Sequence, residues 1–507
     1  MRELFRHIGF VLLATLWATL SFVLPDFIDN PTDGWHSVLP LCLYIGAVGG
    51  LHFLFLWLLS LNRWAWLTIL PLYAGLGAVI AYYRVAFHST VTPMIVEATL
   101  HTNAGTVSSL VSWQLVLWCA VTLTIAVSLI MWRWKRPAPP YSFQQIPVLL
   151  VLIPFYYFYN GRLQQSLNQR YPMNVVHSVA EYISFANINQ STRDTVAVTM
   201  AEPTDSLDIV VVIGEAARAD HLALNGYERN TNPYLSLRTN VVSLPYIYSQ
   251  HTYTSTSVPH LLTPADSAST ELAATQHSFI HYFSQVGYHT AWISNQDYGR
   301  TYMPFIQEAD TTIFPNSSKS VFVYDEWNDL QLLPHLDSLL VHSHTHNLYI
   351  IHCIGSHWYY NIHVPCEWQF FQPITASRII TANALEQVVN SYDNTMVCLD
   401  VFLDSLIELF ENRCAVVFFQ SDHGESLGEN GVFLHAAGAE ETKHPAAAIW
   451  YSNRYESLFP EKVEALKQHQ YNHFRTDYLF HTVLSAGGMQ TSKEHKELDL
   501  FTLDIEK

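Results

Sequence analysis

The chain has 507 residues, 50% hydrophobic and only 13% charged, with a formal net charge of -18. That length accommodates more than one domain, and that charge excludes nucleic acid as a partner, because a polyanion is held by clustered Lys and Arg that displace its counterions. The hydrophobicity is concentrated in the first 160 residues, so the chain is built for two solvents.

Five apolar runs are predicted to cross a bilayer: residues 7–24, 39–61, 64–83, 111–132 and 146–159. About 20 apolar residues span the hydrocarbon core, and the fifth run is short. Arg2, Arg6, Arg63, Arg133, Lys135 and Arg136 fall at the N-terminus or in the second and fourth connections. The positive-inside rule makes that side cytoplasmic and reads the 133–136 run as an orientation signal. Residues 26–37 carry Asp26, Asp29 and Asp33 without a Lys or Arg. Five spans then place the C-terminal part outside, and spans following the first argue against a cleaved signal peptide.

A transmembrane domain is therefore expected over 1–160, a connector over 161–205 and an exported catalytic domain over 206–507. In the connector, residues 175–183 have apolar side chains at roughly helical spacing, which reads equally as an interfacial helix or a solvated linker. From residue 208 onward, apolar β-rich runs at 209–213, 289–294, 321–324, 348–354, 415–420 and 446–450 alternate with helical patterns. The clearest of these, 383–410, repeats Leu385, Val388, Val389, Tyr392, Met396, Leu399, Leu403, Leu406, Ile407 and Phe410 at three- and four-residue steps, the pattern of a core-packing helix. Such alternation predicts an α/β domain with a doubly wound sheet, its chemistry at the carboxyl ends of the strands.

Three strands run into polar clusters there: Gly214-Glu215-Ala216-Ala217-Arg218-Ala219-Asp220-His221, Gly355-Ser356-His357 and Ser421-Asp422-His423-Gly424-Glu425-Ser426. Glu215, Asp422 and His423 offer two carboxylates and an imidazole, a donor set that suits zinc with a fourth position open. Each alone reads more simply as a helix cap or a structural histidine. Of the six cysteines, Cys42 and Cys119 lie in predicted spans and Cys353 and Cys414 in or beside apolar runs, where a buried thiol is the expected state. Spacing does not define a disulfide.

The first cluster, continued through Asn225-Gly226-Tyr227-Glu228-Arg229-Asn230-Thr231-Asn232-Pro233, and the second, continued through Leu427-Gly428-Glu429-Asn430-Gly431, resemble the signatures of the phosphoethanolamine transferases. That family includes the lipid A modifying and mobile colistin-resistance enzymes, and its five-span anchor with an alkaline-phosphatase-like domain resembles the whole chain. The resemblance implies a multi-pass protein of the bacterial inner membrane with its catalytic domain in the periplasm. It further implies phosphatidylethanolamine as donor, lipid A or lipopolysaccharide core as acceptor, and a covalent intermediate on threonine. By the same resemblance Thr254, in Thr252-Tyr253-Thr254-Ser255-Thr256-Ser257-Val258-Pro259, is the nucleophile and joins Glu215, Asp422 and His423 as a zinc ligand. His357 and His435 resemble histidines that bind substrate phosphate or a second zinc.

Two departures stand out. Ala216 follows Glu215 where the family has a hydroxyl residue, and Gln250 and His260 flank the nucleophile loop where a disulfide pair is common, so that loop's rigidity is expected to come from packing. Ser257-Val258-Pro259-His260-Leu261 lacks the arginine of a formylglycine sulfatase motif. A glycerophosphate transferase of lipoteichoic-acid-synthase type, or a non-catalytic lipid-binding relative, are the rival readings.

Overall fold

A computed structural model describes residues 2–27, 35–87, 90–92, 95–96, 99, 112–137, 139, 141–158, 161–186, 193–194, 198–200, 205–296, 301–317, 326–376, 384–435, 439–491 and 496–502. The chain forms two compact units, Met1–Asn187 with Ser317–Asp325, and Ile188–Asn316 with Glu326–Lys507.

The first unit is helical: α1 (Arg2–Ala18), extended through irregular turns to Phe27, then α2 (Trp35–Ser60), α3 (Arg63–Phe87), α4 (Trp113–Trp134), α5 (Ser142–Phe158), α6 (Gly161–Asn168) and α7 (Met173–Ala186). Among the described residues, four helices are long and apolar enough to cross a membrane: Glu3–Phe27, Val38–Ser60, Arg63–Ala86 and Trp113–Trp134. Their outward faces carry large apolar side chains such as Leu12, Leu16, Leu72 and Leu117, each more than half exposed, as lipid contact requires. The expected fifth span coincides with α5, which has 17 residues interrupted by Pro147 and Pro154. At about 1.5 Å per residue it reaches roughly 26 Å, short of the ~30 Å hydrocarbon core. In α7 the large apolar side chains Val176, Val179 and Ile183 are exposed, whereas Asn174 and Ser178 are buried.

The second unit is a sheet covered by helices. Its strands are β1 (Leu207–Gly214), β2 (Val241–Ser243), β3 (His289–Ser294), β4 (Thr311–Ile313), β5 (His346–His352), β6 (Ala415–Ser421) and β7 (Ala447–Tyr451), in spatial order β2-β7-β6-β1-β5-β3-β4. Five of them, β6-β1-β5-β3-β4, run parallel. Every residue of β1 and β6 is buried, which is why these strands read as unbroken apolar runs. The predicted 446–450 run is a strand, but β7 runs antiparallel to both β6 and β2, so the sheet is mixed rather than wholly parallel. The chain leaving β6 re-enters β7 at the same sheet end without a crossover, and the predicted 321–324 strand lies outside the described residues.

Among the described helices of this unit two matter for function, α8 (Thr254–Leu262) and α9 (Leu385–Glu408). The α9 stripe from Val388 to Ile407 and on to Phe410 packs into the core, but Leu385, in its first turn, is 46% exposed. The 225–233 block is a strap tied to α9. Buried Asp393 accepts from Arg229 Nη1 at 2.8 Å and Tyr227 Oη at 3.0 Å and meets His221 Nδ1 at 2.7 Å. Asn232 Nδ2 donates to Asp400 Oδ1 at 3.2 Å, and Thr231 Oγ1 donates to the carbonyl of His221 at 2.8 Å. All six cysteines are free thiols.

Because Asp393 serves three partners in a dry site, Asp393→Ala is expected to cost about 3 kcal/mol. Apparent melting of the full-length protein in detergent should then fall by roughly 6 °C or more. Glu408→Ala, on the exposed side of the same helix, should leave it within about 1 °C.

Candidate functional site

Four parallel strand ends and the start of α8 meet at one place. β1 delivers Glu215, and a Cβ on Gly214 would sit 2.6 Å from the Phe419 ring, so glycine at the strand's end leaves room for that ring. The next residue, Ala216, has φ +56°, a left-handed conformation that costs of order 1 kcal/mol without a glycine. It is held by donation of its N–H to Asp422 Oδ1 at 3.2 Å and by the Tyr392 hydroxyl on its carbonyl at 2.7 Å. The Ala217 N–H donates to Ser421 Oγ at 2.8 Å, stitching the ends of β1 and β6 together. At the end of β5, buried Asp329 accepts from the N–H groups of Ile354 and Gly355, each at 2.9 Å. A Cβ on Gly355 would lie 2.8 Å from the Glu215 carbonyl.

The side chains that result leave lone pairs facing one another. Glu215 Oε2 accepts from Thr254 Oγ1 and from Gln296 Nε2, both at 2.9 Å. Glu215 Oε1, Asp422 Oδ2 and His423 Nε2 are buried and without a hydrogen-bond partner. His423 Nε2 lies 3.5 Å from Glu215 Oε1 and 3.4 Å from Asp422 Oδ2. The Nδ1–H of His423 donates to the Gly424 carbonyl at 2.8 Å, which fixes the tautomer and leaves Nε2 as an acceptor. Burial, reinforced by Asp422 and Glu425, holds the Glu215 carboxyl well above the usual carboxylate range.

Two carboxylates and an imidazole lone pair in a dry pocket cost several kcal/mol unless a cation joins them. Mixed oxygen and nitrogen donors fit a divalent metal ion, with Glu215 Oε1, Asp422 Oδ2 and His423 Nε2 as its holders and Thr254 beside them.

His435 extends the cluster. Ligand atoms of Glu215, His423 and His435 lie within 4.8 Å of one another, and the His423 and His435 rings are 4.5 Å apart. His435 Nδ1 sits 3.4 Å from Glu425 Oε1. Burial opposes its charged form, but Glu425 outweighs that and raises its pKa. His357 stands on the adjoining loop with Nδ1 donating to the Trp358 carbonyl at 2.7 Å. Burial lowers its pKa to about 4, aided by His435 and His423, so it presents a neutral Nε2.

Thr254 opens α8, whose N-terminal N–H groups favour negative charge at its side chain. Without a disulfide, the loop before it is braced by His251 and His260, with ring centroids 3.9 Å apart. His260 Nδ1–H donates to the Thr256 carbonyl at 2.9 Å, and Ser249 Oγ donates to the His251 carbonyl at 2.7 Å. The sequence reading gave no role to Gln296 or Glu425. Gln296 lies two residues past the apolar end of β3, where the strand-end rule pointed, and Glu425 is fully buried with both carboxylate oxygens lacking hydrogen-bond partners.

Residues 208–489 match the sulfatase family model, and residues 48–184 match the model described as phosphoethanolamine transferase EptA/EptB. The chain is 27% identical over 504 residues to phosphoethanolamine transferase EptA of Escherichia coli K12, covering 91% of this chain and 89% of that protein. Its fold is similar to that of the integral membrane lipooligosaccharide phosphoethanolamine transferase A of Neisseria meningitidis, with TM-score 0.56 and 23% identity over 97% of this chain and 98% of that one. It is also similar to the C-terminal periplasmic domain of EcEptC from Escherichia coli, a structure in complex with Zn, with TM-score 0.57 and 22% identity over 62% of this chain and 92% of that one.

Gln296 fixes which oxygen of Glu215 turns to the open position. Gln296→Ala is expected to weaken metal binding by about tenfold or more, the usual effect of losing a residue that orients a ligand. Affinity should also fall as pH drops, since Glu215, its carboxyl held above the usual range by burial, must release a proton to bind. Competition with a chromophoric chelator measures both, and equal affinities throughout would contradict the assignment.

Proposed function

The chain belongs to the phosphoethanolamine transferases of the sulfatase superfamily, and from that premise we propose that it moves phosphoethanolamine from phosphatidylethanolamine to lipid A or lipopolysaccharide core through an intermediate on Thr254. One observation carries this reading: the Thr254 hydroxyl is hydrogen-bonded at 2.9 Å to a carboxylate whose other oxygen is buried without a partner. That is the arrangement of a nucleophile beside a metal ligand.

Zinc is the proposed ion, held by Glu215, Asp422, His423 and Thr254, and when bound it lowers the pKa of a hydroxyl and neutralises phosphoryl charge. Thr254 Oγ1 attacks the donor phosphorus. Its proton already points at Glu215 Oε2, the P–O bond to diacylglycerol breaks, and the diacylglycerol oxygen takes up a proton. His435, whose charged form Glu425 favours, and neutral His357 stand where they would hold phosphoryl oxygens or supply that proton. In the second half, an acceptor oxygen attacks the phosphothreonine, its proton leaves, and Thr254 is regenerated.

Topology bears on the same reading. With the basic ends cytoplasmic, four spans would return the second unit to the cytoplasm, so α5 is proposed as the fifth span that puts residues 206–507 in the periplasm. Residues 1–160 form the transmembrane domain. The exposed Val176, Val179 and Ile183 of α7 support an interfacial position for the 161–205 connector.

Reconstituted with phosphatidylethanolamine, the protein is expected to release diacylglycerol, and Thr254→Ala to lose about a thousandfold or more in rate. Release from phosphatidylglycerol and not from phosphatidylethanolamine would replace this reading with glycerophosphate transfer.

A further inference from the structure

The basic end of the helical unit contains a pocket that the transfer chemistry does not use. Arg133, at the end of α4, is 2% exposed. Its Nε donates to the Ser60 carbonyl at 2.7 Å and its Nη1 to the Arg136 carbonyl at 3.3 Å. Both acceptors are backbone oxygens, so among the described residues this buried charge has no carboxylate. Arg136 folds back over the end of the bundle, donating from Nη1 to the Arg6 carbonyl at 2.9 Å, with its guanidinium 4.6 Å from the Trp132 ring centre. Against Arg136 lies an open pocket of about 220 Å³ lined by Glu3, Arg6, His7, Arg136, Pro137 and Pro139.

The charge there is lopsided. Among the described residues, Arg6, Arg63, Arg133, Lys135 and Arg136 gather at these helix ends with one carboxylate, Glu3, which is already paired with Arg6 at 2.7 Å. A buried cation without a counter-charge is costly, and an anion on Arg6 and Arg136 would offset part of that cost for Arg133, which is hydrogen-bonded to the Arg136 carbonyl. Two features specify what kind of anion. Trp64, Trp132 and Trp134 ring the same end and are 57%, 37% and 41% exposed, the arrangement that marks headgroup depth in a bilayer. On α4, directly before the basic run, Val127 and Met131 are about half exposed and offer apolar surface to an acyl chain.

We propose that this pocket binds the phosphate of an anionic phospholipid in the cytoplasmic leaflet, with Arg6 and Arg136 on the headgroup and Arg133 supplying charge behind them. Basic pockets between helix ends on that face are suited to such headgroups. Simple orientation by the positive-inside rule explains why the charges are present, but not why Arg133 is buried and Arg136 turned inward, whereas Lys135 points to solvent.

The test is native mass spectrometry of the full-length protein in mild detergent, titrated with cardiolipin, phosphatidylglycerol or phosphatidylcholine. One anionic lipid should be retained per chain and phosphatidylcholine should not. Arg6→Gln and Arg136→Gln should each weaken retention at least about fivefold, whereas Lys135→Gln, which removes the same charge outside the pocket, should not. Two variants are used so that misfolding of one does not decide the result. Equal retention of phosphatidylcholine, equal weakening by Lys135→Gln, or displacement of the lipid by millimolar inorganic phosphate would each overturn the proposal, the last by assigning the pocket to a soluble anion.

Discussion

The catalytic unit is organised around three buried ligand atoms that have no hydrogen-bond partner: Glu215 Oε1, Asp422 Oδ2 and His423 Nε2. A protein interior tolerates such a group only when something positive joins it, so the surrounding structure is best understood as what holds these atoms in place. The strained Ala216, the Tyr392 hydroxyl and Gly214 act on backbone within two residues of Glu215, and the Asp329 clamp holds the β5 loop whose Gly355 packs against the Glu215 backbone. Gln296 and the Gly424 carbonyl then turn the side chains themselves.

The mixed sheet has a functional consequence. Because β7 returns antiparallel beside β6, the long connection between them stays at one sheet end, and it carries Asp422, His423, Glu425 and His435 there together. A crossover helix after β6 would have taken residue 435 to the opposite end. The helical unit solves a separate problem, with lipid-facing leucines outward, Arg63 and Arg133 at helix ends, and the mid-helix His52 buried and hydrogen-bonded to Tyr73 and the Tyr171 carbonyl.

Much of this was legible in the sequence because the physics was local. Strands β1, β5 and β6 are buried on both faces and so appear as apolar runs that end abruptly in polar residues, which located Glu215, His357 and the Asp422-His423 pair. The 3.6-residue repeat of α9 was equally plain, apart from Leu385, whose position in the first turn leaves it exposed. Strand direction was not legible, since β7 has the same composition as a parallel neighbour. Nor was Gln296, 81 residues from Glu215, because a neutral amide after a strand announces nothing until the fold brings it to a carboxylate. The fifth run, legible as a short one, lies in a helix of 17 residues that starts four residues earlier and carries two internal prolines.

Transfer through Thr254 requires its hydroxyl to be activated by a metal held at these atoms. The most direct measurement is the intact mass of the purified full-length protein after incubation with phosphatidylethanolamine, with zinc present or chelated. A phosphoethanolamine adduct that maps to Thr254 and forms only with the metal present is the predicted result. An adduct that persists after chelation, or that maps to another residue, would contradict it.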